Sequence, residues 1–144
     1  MKGFTLIELA IVIVIAALLA AVAVPIYNGI VTDSKWSEGK TAVGAIKAAM
    51  DAYSAKTGAD LGSFVSGDFA TTPANYTLIR LEPAALQDLQ YFSETDFDVT
   101  IVGAAAPHSY TITLTASGGG NSGNGPTAGT ITYTSATATW AENY

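Results

Sequence analysis

Apolar and polar residues follow two regimes along this chain. From Phe4 to Val24 the sequence reads FTLIELAIVIVIAALLAAVAV, with Glu8 as its single charge. A helix of that length, at about 1.5 Å per residue, reaches about 30 Å, the thickness of a bilayer core. Beyond Pro25 the pattern becomes amphipathic. Trp36, Gly39, Val43, Ile46, Met50 and Tyr53 recur at three- and four-residue steps and form one helical stripe. Lys35, Glu38, Lys40, Lys47, Asp51 and Lys56 fall on other faces, and Gly58 after Thr57 supplies a C-cap. The expectation is one helix from Phe4 to about Lys56, roughly 80 Å long, apolar all round at first and striped afterwards. Pro25 lacks a backbone donor and clashes with the preceding turn, so a kink or local unwinding is expected just before it. Ala16, Ala17, Ala20, Ala21 and Ala23 crowd the same stretch, and small residues permit close helix approach in a bundle.

The remaining chain reads as a headpiece for the striped half. Gly58 to Pro73 is a connecting loop, Tyr76–Leu81 a short strand, and Pro83–Phe92 a short helix with proline in its first turn. Alternation then marks strands at 97–101, 110–115 and 130–134, with 137–140 extending or following the last. Tyr110, Ile112 and Leu114 are expected to face the helix, with threonines outward. The predicted fold is α+β: a long N-terminal helix packed against an antiparallel sheet of three to four strands.

Composition narrows the function. Of 144 residues only 12% are charged, about half the usual share, and the formal net charge is −6. Such a chain lacks the clustered Lys and Arg of a nucleic-acid-binding module. Zero cysteines exclude disulfides, thiolate catalysis and Cys-ligated metals, and His108 is the single histidine. Glu8 is the most informative charge. A carboxylate within an apolar span costs about 2.5–3.5 kcal/mol when central, and less near an end. It either snorkels to one interface or waits for a cation. If the chain were cut after Gly3, the new amine of Phe4 would be such a cation, offered by one helix to the Glu8 of another. The competing reading is a secretory signal peptide cleaved at Ala21-Val22-Ala23, but the apolar run is too long for a usual h-region.

Lys2-Gly3-Phe4-Thr5-Leu6-Ile7-Glu8, followed by the apolar run and Pro25, resembles the N-terminus of type IV pilins and pseudopilins. The resemblance covers about the first 30 residues. It implies that a prepilin peptidase cuts after Gly3 and N-methylates Phe4. Glu8 is then the glutamate that pairs with a neighbouring subunit's terminal amine, and Pro25 the kinking proline. It further implies storage in the bacterial inner membrane, in contact with lipid, and extraction by an assembly platform with an ATPase motor. The product is an extracellular helical homopolymer. The chain divides accordingly into a leader (1–3), a transmembrane and filament-core helix (4–25), an amphipathic helical half (26–57) and a headpiece (58–144). The leading reading is the major subunit of a type IV pilus, serving motility, adhesion or DNA uptake, with no enzymatic activity. The alternatives are a major pseudopilin of a type II secretion system and a membrane-tethered monomeric binding domain. The chain departs from many pilins in having no disulfide and no helix-breaking glycine before the proline. Strand pairing and burial of Trp140 or Tyr144 are expected to hold the C-terminus instead.

Other motifs carry little chemistry. Gly118-Gly119-Gly120-Asn121-Ser122-Gly123 matches a dinucleotide fingerprint, but no helix follows it, so a long flexible hairpin loop is expected, exposed on the filament or contacting a neighbouring subunit. Glu94, Asp96 and Asp98 are weak calcium candidates, since major pseudopilins carry a calcium site in their C-terminal region; a solvated strand edge is the simpler reading. His108 reads as a surface residue. Asn75-Tyr76-Thr77 is a chance sequon, and the Thr- and Ser-rich tail from Ser109 to Thr139 reads as strand propensity rather than as a site for O-linked sugar. Phe4, Tyr27, Trp36 and Tyr53 lie along the helix as packing residues rather than an electron pathway. No cofactor, catalytic set or nucleic-acid site is expected.

Overall fold

The computed structural model describes residues 3–103 and 105–144. Its longest element is helix α1, Leu6–Thr57. The assignment runs through Pro25, so the segment before the proline is helical and the local unwinding allowed by the sequence is not seen. The chain forms two compact units, Met1–Ser34 and Lys35–Tyr144. In the first, the side chains from Phe4 to Ile30 are exposed, large aliphatics included. This part of α1 is long and apolar enough to cross a membrane, and none of its most apolar stretch is buried.

The second unit is the headpiece. Trp36, Gly39, Ala42, Val43, Ile46 and Met50 of α1 are buried, the stripe read from three- and four-residue spacing. Against them lies one antiparallel sheet in the order β1 (Gly67–Asp68), β2 (Phe97–Val102), β3 (Ser109–Thr115), β4 (Thr130–Thr134), β5 (Thr139–Asn143). Five strands form, more than the three to four expected. The extra pair of residues, Gly67 and Asp68, is too short to show alternation but bonds to the edge of β2. Register aligns the apolar positions: Phe97 opposes Leu114, Val99 opposes Ile112, and Ile112 and Leu114 oppose Tyr133 and Ile131. All six are buried, while Thr111, Thr113, Thr132 and Thr134 occupy the other face. Each large apolar side chain so removed from water contributes about 1.5–3 kcal/mol.

Three local expectations need correction. Residues 76–81 are not a strand, because Ala74–Ile79 forms helix α2. Tyr76 and Ile79 are both buried, and a three-residue spacing shares one face only on a helix. The helix expected over 83–92 shrinks to α3, Ala84–Gln87, with Pro83 at its N-cap. Gly58 does close α1, at φ +65°. The C-terminus is held by β4–β5 pairing but not by burial. Trp140 is 45% and Tyr144 47% exposed, because β5 is an edge strand with every residue exposed. Their rings lie instead against neighbouring aromatics, Tyr144 stacked on Trp36 at 4.6 Å and Trp140 tilted against Tyr133 at 4.9 Å.

Candidate functional site

The N-terminal end of α1 is organised by Thr5 and Glu8. One oxygen of Glu8 (Oε2) accepts hydrogen bonds from the Thr5 backbone N–H and the Thr5 hydroxyl, both at 2.8 Å. The Glu8 N–H returns a bond to Thr5 Oγ1 at 3.3 Å. This reciprocal pair is a capping box, which satisfies donors that a helix start otherwise leaves unpaired. It also explains how a carboxylate sits at the head of an apolar helix. Oε1 of Glu8 has no hydrogen-bond partner among the described residues. Thr5 was missed as a functional residue, although Thr-x-x-Glu before an apolar run is the sequence sign of such a box. Phe4 is 91% exposed, and a side chain added at Gly3 would meet nothing within 4 Å, so the backbone on both sides of the Gly3–Phe4 bond is open. Met1 and Lys2 of the expected leader lie outside the described residues.

The other sequence candidates are dispersed and already engaged. Glu94 Oε2 accepts from the Tyr76 hydroxyl at 2.9 Å and from Gln87 at 3.0 Å. Burial and then this carboxylate raise the Tyr76 phenol well above the ordinary tyrosine range. Asp96 is buried and caps its own 3-10 turn through Ser93, whereas Asp98 accepts from the Thr100 hydroxyl. The three do not converge, and among the described residues no group of His, Asp and Glu could hold a metal. His108 is not a surface residue: its side chain is only 10% exposed, and Nδ1 accepts from the Leu61 N–H at 3.2 Å. Asn75 is buried, with its amide bonded to Val65 and Thr72, which removes it from the surface a sugar would need.

The glycine-rich loop is docked rather than free. Asn121 Nδ2 donates to the Gln87 and Leu89 carbonyls at 2.6 and 2.9 Å, and the Ser122 N–H donates to Gln90 O. A Cβ at Gly120 or Gly125 would strike the Tyr91 carbonyl, so glycine is required there by close approach, and at Gly120 also by φ +56°. The same 87–91 segment is held from below by Glu38, whose two oxygens accept the Gln90 and Tyr91 N–H groups at 2.7 Å each. Further along α1, Lys47 pairs with Asp51 at 2.7 Å, and the Tyr110 hydroxyl donates to the second Asp51 oxygen. Burial disfavours the Asp51 carboxylate, but the bonds from Lys47 and Tyr110 outweigh it and lower its pKa.

Residues 1–24 match the family model of the prokaryotic N-terminal methylation motif. The N-terminus is therefore a methylation-motif segment. The chain is also 50% identical over 52 residues to the fimbrial protein EcpC of Eikenella corrodens. That stretch covers 36% of this chain and 34% of the relative, so the match spans about a third of the curated relative's length. No solved structure matches. The methylation motif coincides with the capping box and much of the exposed apolar stretch of α1, while the headpiece, with its docked loop and five-stranded sheet, lies outside residues 1–24.

Proposed function

We propose that this chain is the structural subunit of a type IV pilus, a helical homopolymer built on its N-terminal helix. The observation that carries the reading is the Thr5–Glu8 capping box at the start of a helix whose apolar side chains stay exposed as far as Ile30. A surface of that kind needs lipid before assembly and other copies of itself afterwards. Cleavage after Gly3 by a prepilin peptidase leaves the Phe4 amine beside the cap, where it is N-methylated. Oε1 of Glu8, without a hydrogen-bond partner among the described residues, is the oxygen available to the amine of a neighbouring copy. Small residues from Ala16 to Ala23 let the helices approach closely in the filament core, and Pro25 marks where the helix bends during packing. The subunit waits in the inner membrane, is extracted by an ATP-driven platform, and ends in an extracellular fibre whose role is mechanical rather than catalytic.

Mass spectrometry of the mature protein tests the processing. A mass beginning at N-methyl-Phe4 is expected; retention of Met1, or a cut after Ala23, refutes the reading. Glu8→Ala tests assembly separately. Membrane-inserted subunits without surface filaments are expected, and undiminished function of the inserted monomer would mark a tethered binding domain instead.

A further inference from the structure

The chain has six Lys and Arg residues against twelve Asp and Glu, and five of the six cations are described. Three are engaged within the headpiece. Lys35 donates to the Asn124 carbonyl at 2.7 Å, Lys40 pairs with Glu142 at 2.8 Å, and Lys47 pairs with Asp51. Each also lies over a tyrosine ring. The other two, Lys56 and Arg80, have no hydrogen bond or ion pair from their side chains among the described residues. Both line one cleft of about 120 Å³, walled by Ala52, Tyr53, Leu78 and Ile79. Arg80 caps α2 at φ +56°, ψ +38°, a left-handed conformation in which glycine alone is unstrained. A long cation therefore stands where the backbone favours glycine.

We propose that this cleft receives the Asp33 carboxylate of a second copy of the chain. The inference rests on the filament reading above. Loss of the leader with Lys2 leaves five Lys and Arg against twelve Asp and Glu, a formal charge of −7, and such copies repel one another unless their carboxylates meet cations. Among the described residues the side chains of Asp33, Glu82 and Asp88 have no hydrogen bond or ion pair. Glu82 lines the adjoining cleft together with Arg80, so it belongs to the same patch; a patch that pairs with itself closes a two-fold dimer, whereas a filament joins different surfaces. Asp88 caps the four-residue α3 within the headpiece. Asp33 follows exposed Tyr27 and Ile30, which assembly must cover, so a neighbour is brought to it. Asp33 also just precedes the headpiece, and Lys56 lies in the last turn of its helix. Copies stacked head to tail in one direction bring these two ends together.

The test uses the full-length chain with its assembly machinery. Arg80→Gly removes a charge while suiting the left-handed backbone, and Lys56→Glu reverses the other. The double variant is expected to be inserted and N-methylated as the wild type is, with filament yield reduced at least about fivefold. Adding Asp33→Lys to this double variant, which sets a cation against the new glutamate, should restore assembly. Because the chain has no cysteine, Asp33→Cys with Lys56→Cys, oxidised in isolated filaments, should give a ladder of disulfide-linked multimers. Undiminished yield in the double variant overturns the proposal. So does lost yield with neither ladder nor rescue, which would mark the cleft as a site for another anion, such as a lipid phosphate. If the wild-type chain is neither N-methylated nor polymerised, the filament reading itself fails and the pairing falls with it.

Discussion

Gly39 and Gly44 stand on the same helix, and the same substitution should move stability in opposite directions at the two positions. A glycine inside a helix costs about 0.5–1 kcal/mol relative to alanine, so the backbone alone favours alanine at both. At Gly44 an added Cβ meets nothing within 4 Å, and the full gain should appear. At Gly39 the Cβ would lie 2.5 Å from Leu114 Cδ2 and 2.8 Å from Phe92 Cε2, well inside the favourable carbon–carbon separation of about 3.5–4.0 Å. Neither neighbour is free to retreat. Leu114 is fully buried in β3, and the Phe92 ring is wedged between Trp36 and Phe97, with centroids at 5.3 and 6.2 Å. Overpacking of this kind costs about 1–3 kcal/mol, which leaves Gly39→Ala destabilised by about 1 kcal/mol after the helical gain. The two variants should differ by about 2 kcal/mol, or about 8 °C in melting temperature for a headpiece of this size. Thermal melts of the full chain in detergent, followed by near-ultraviolet circular dichroism of the stacked Trp36, would measure it. Gly39→Ala melting at or above Gly44→Ala would refute the packing of α1 on β3.

Gly120→Ala should expel the loop from the 87–91 segment, because its Cβ meets the Tyr91 carbonyl and its φ is +56°. The expected cost is about 2–3 kcal/mol, and hydrogen exchange should show the Ser122 amide losing protection while β3 keeps it. Glu38→Ala removes both acceptors for Gln90 and Tyr91 and should cost about 2–4 kcal/mol in urea denaturation; Glu38→Gln, which retains one carbonyl oxygen, should lose less. The Lys47–Asp51–Tyr110 group predicts the response to pH. The folded pKa of Asp51 lies below its ordinary 3.8, so its contribution is present above that value and is lost as pH falls through the lowered one. The Tyr110 phenol, raised by burial and then by Asp51, keeps its proton when the unfolded chain has lost it, so stability declines as pH rises beyond 10. Melting temperatures across this range should show Asp51→Asn flattening the acid limb.

Residues with regular spacing revealed their structure in advance. The stripe from Trp36 to Met50 and the alternation of β2, β3 and β4 each follow from a period that only one element satisfies. What could not be read were contacts made between distant segments. Nothing near Glu38 in sequence announces that it holds two amides more than fifty residues away, and the glycines of 118–125 look flexible until Tyr91 is placed against them. His108 is drawn inward by the Leu61 amide on another loop. Tyr76–Leu81 misled for a different reason: Tyr, Thr, Leu and Ile favour strands locally, and burial of Tyr76 with Ile79 overrode that preference. At the N-terminus the Thr5–Glu8 box was readable from spacing alone, whereas the charge of Glu8 itself drew attention to partners outside the chain.

The border between stalk and headpiece follows from chemistry rather than hydropathy. Ile26, Tyr27 and Ile30 are as apolar as residues of the core, yet they remain exposed. The first buried side chain is Trp36, and the residues around it explain why packing starts there. Lys35 reaches the Asn124 carbonyl, Trp36 lies against Phe92 and Tyr144, Glu38 takes the Gln90 and Tyr91 amides, and Gly39 lets Leu114 and Phe92 approach. Four successive long-range anchors within one and a half turns bring the docked loop, the sheet and the C-terminal strand onto α1 together. Among the described residues upstream of Lys35 no side chain makes a comparable long-range contact, and the headpiece begins there. The exposed apolar surface consequently runs past Pro25 to Ile30, beyond the stretch that bilayer thickness alone would require. The residues between Pro25 and Ile30 thus carry the exposed apolar surface beyond the proline, and under the filament reading proposed above it is other copies of the chain that cover them.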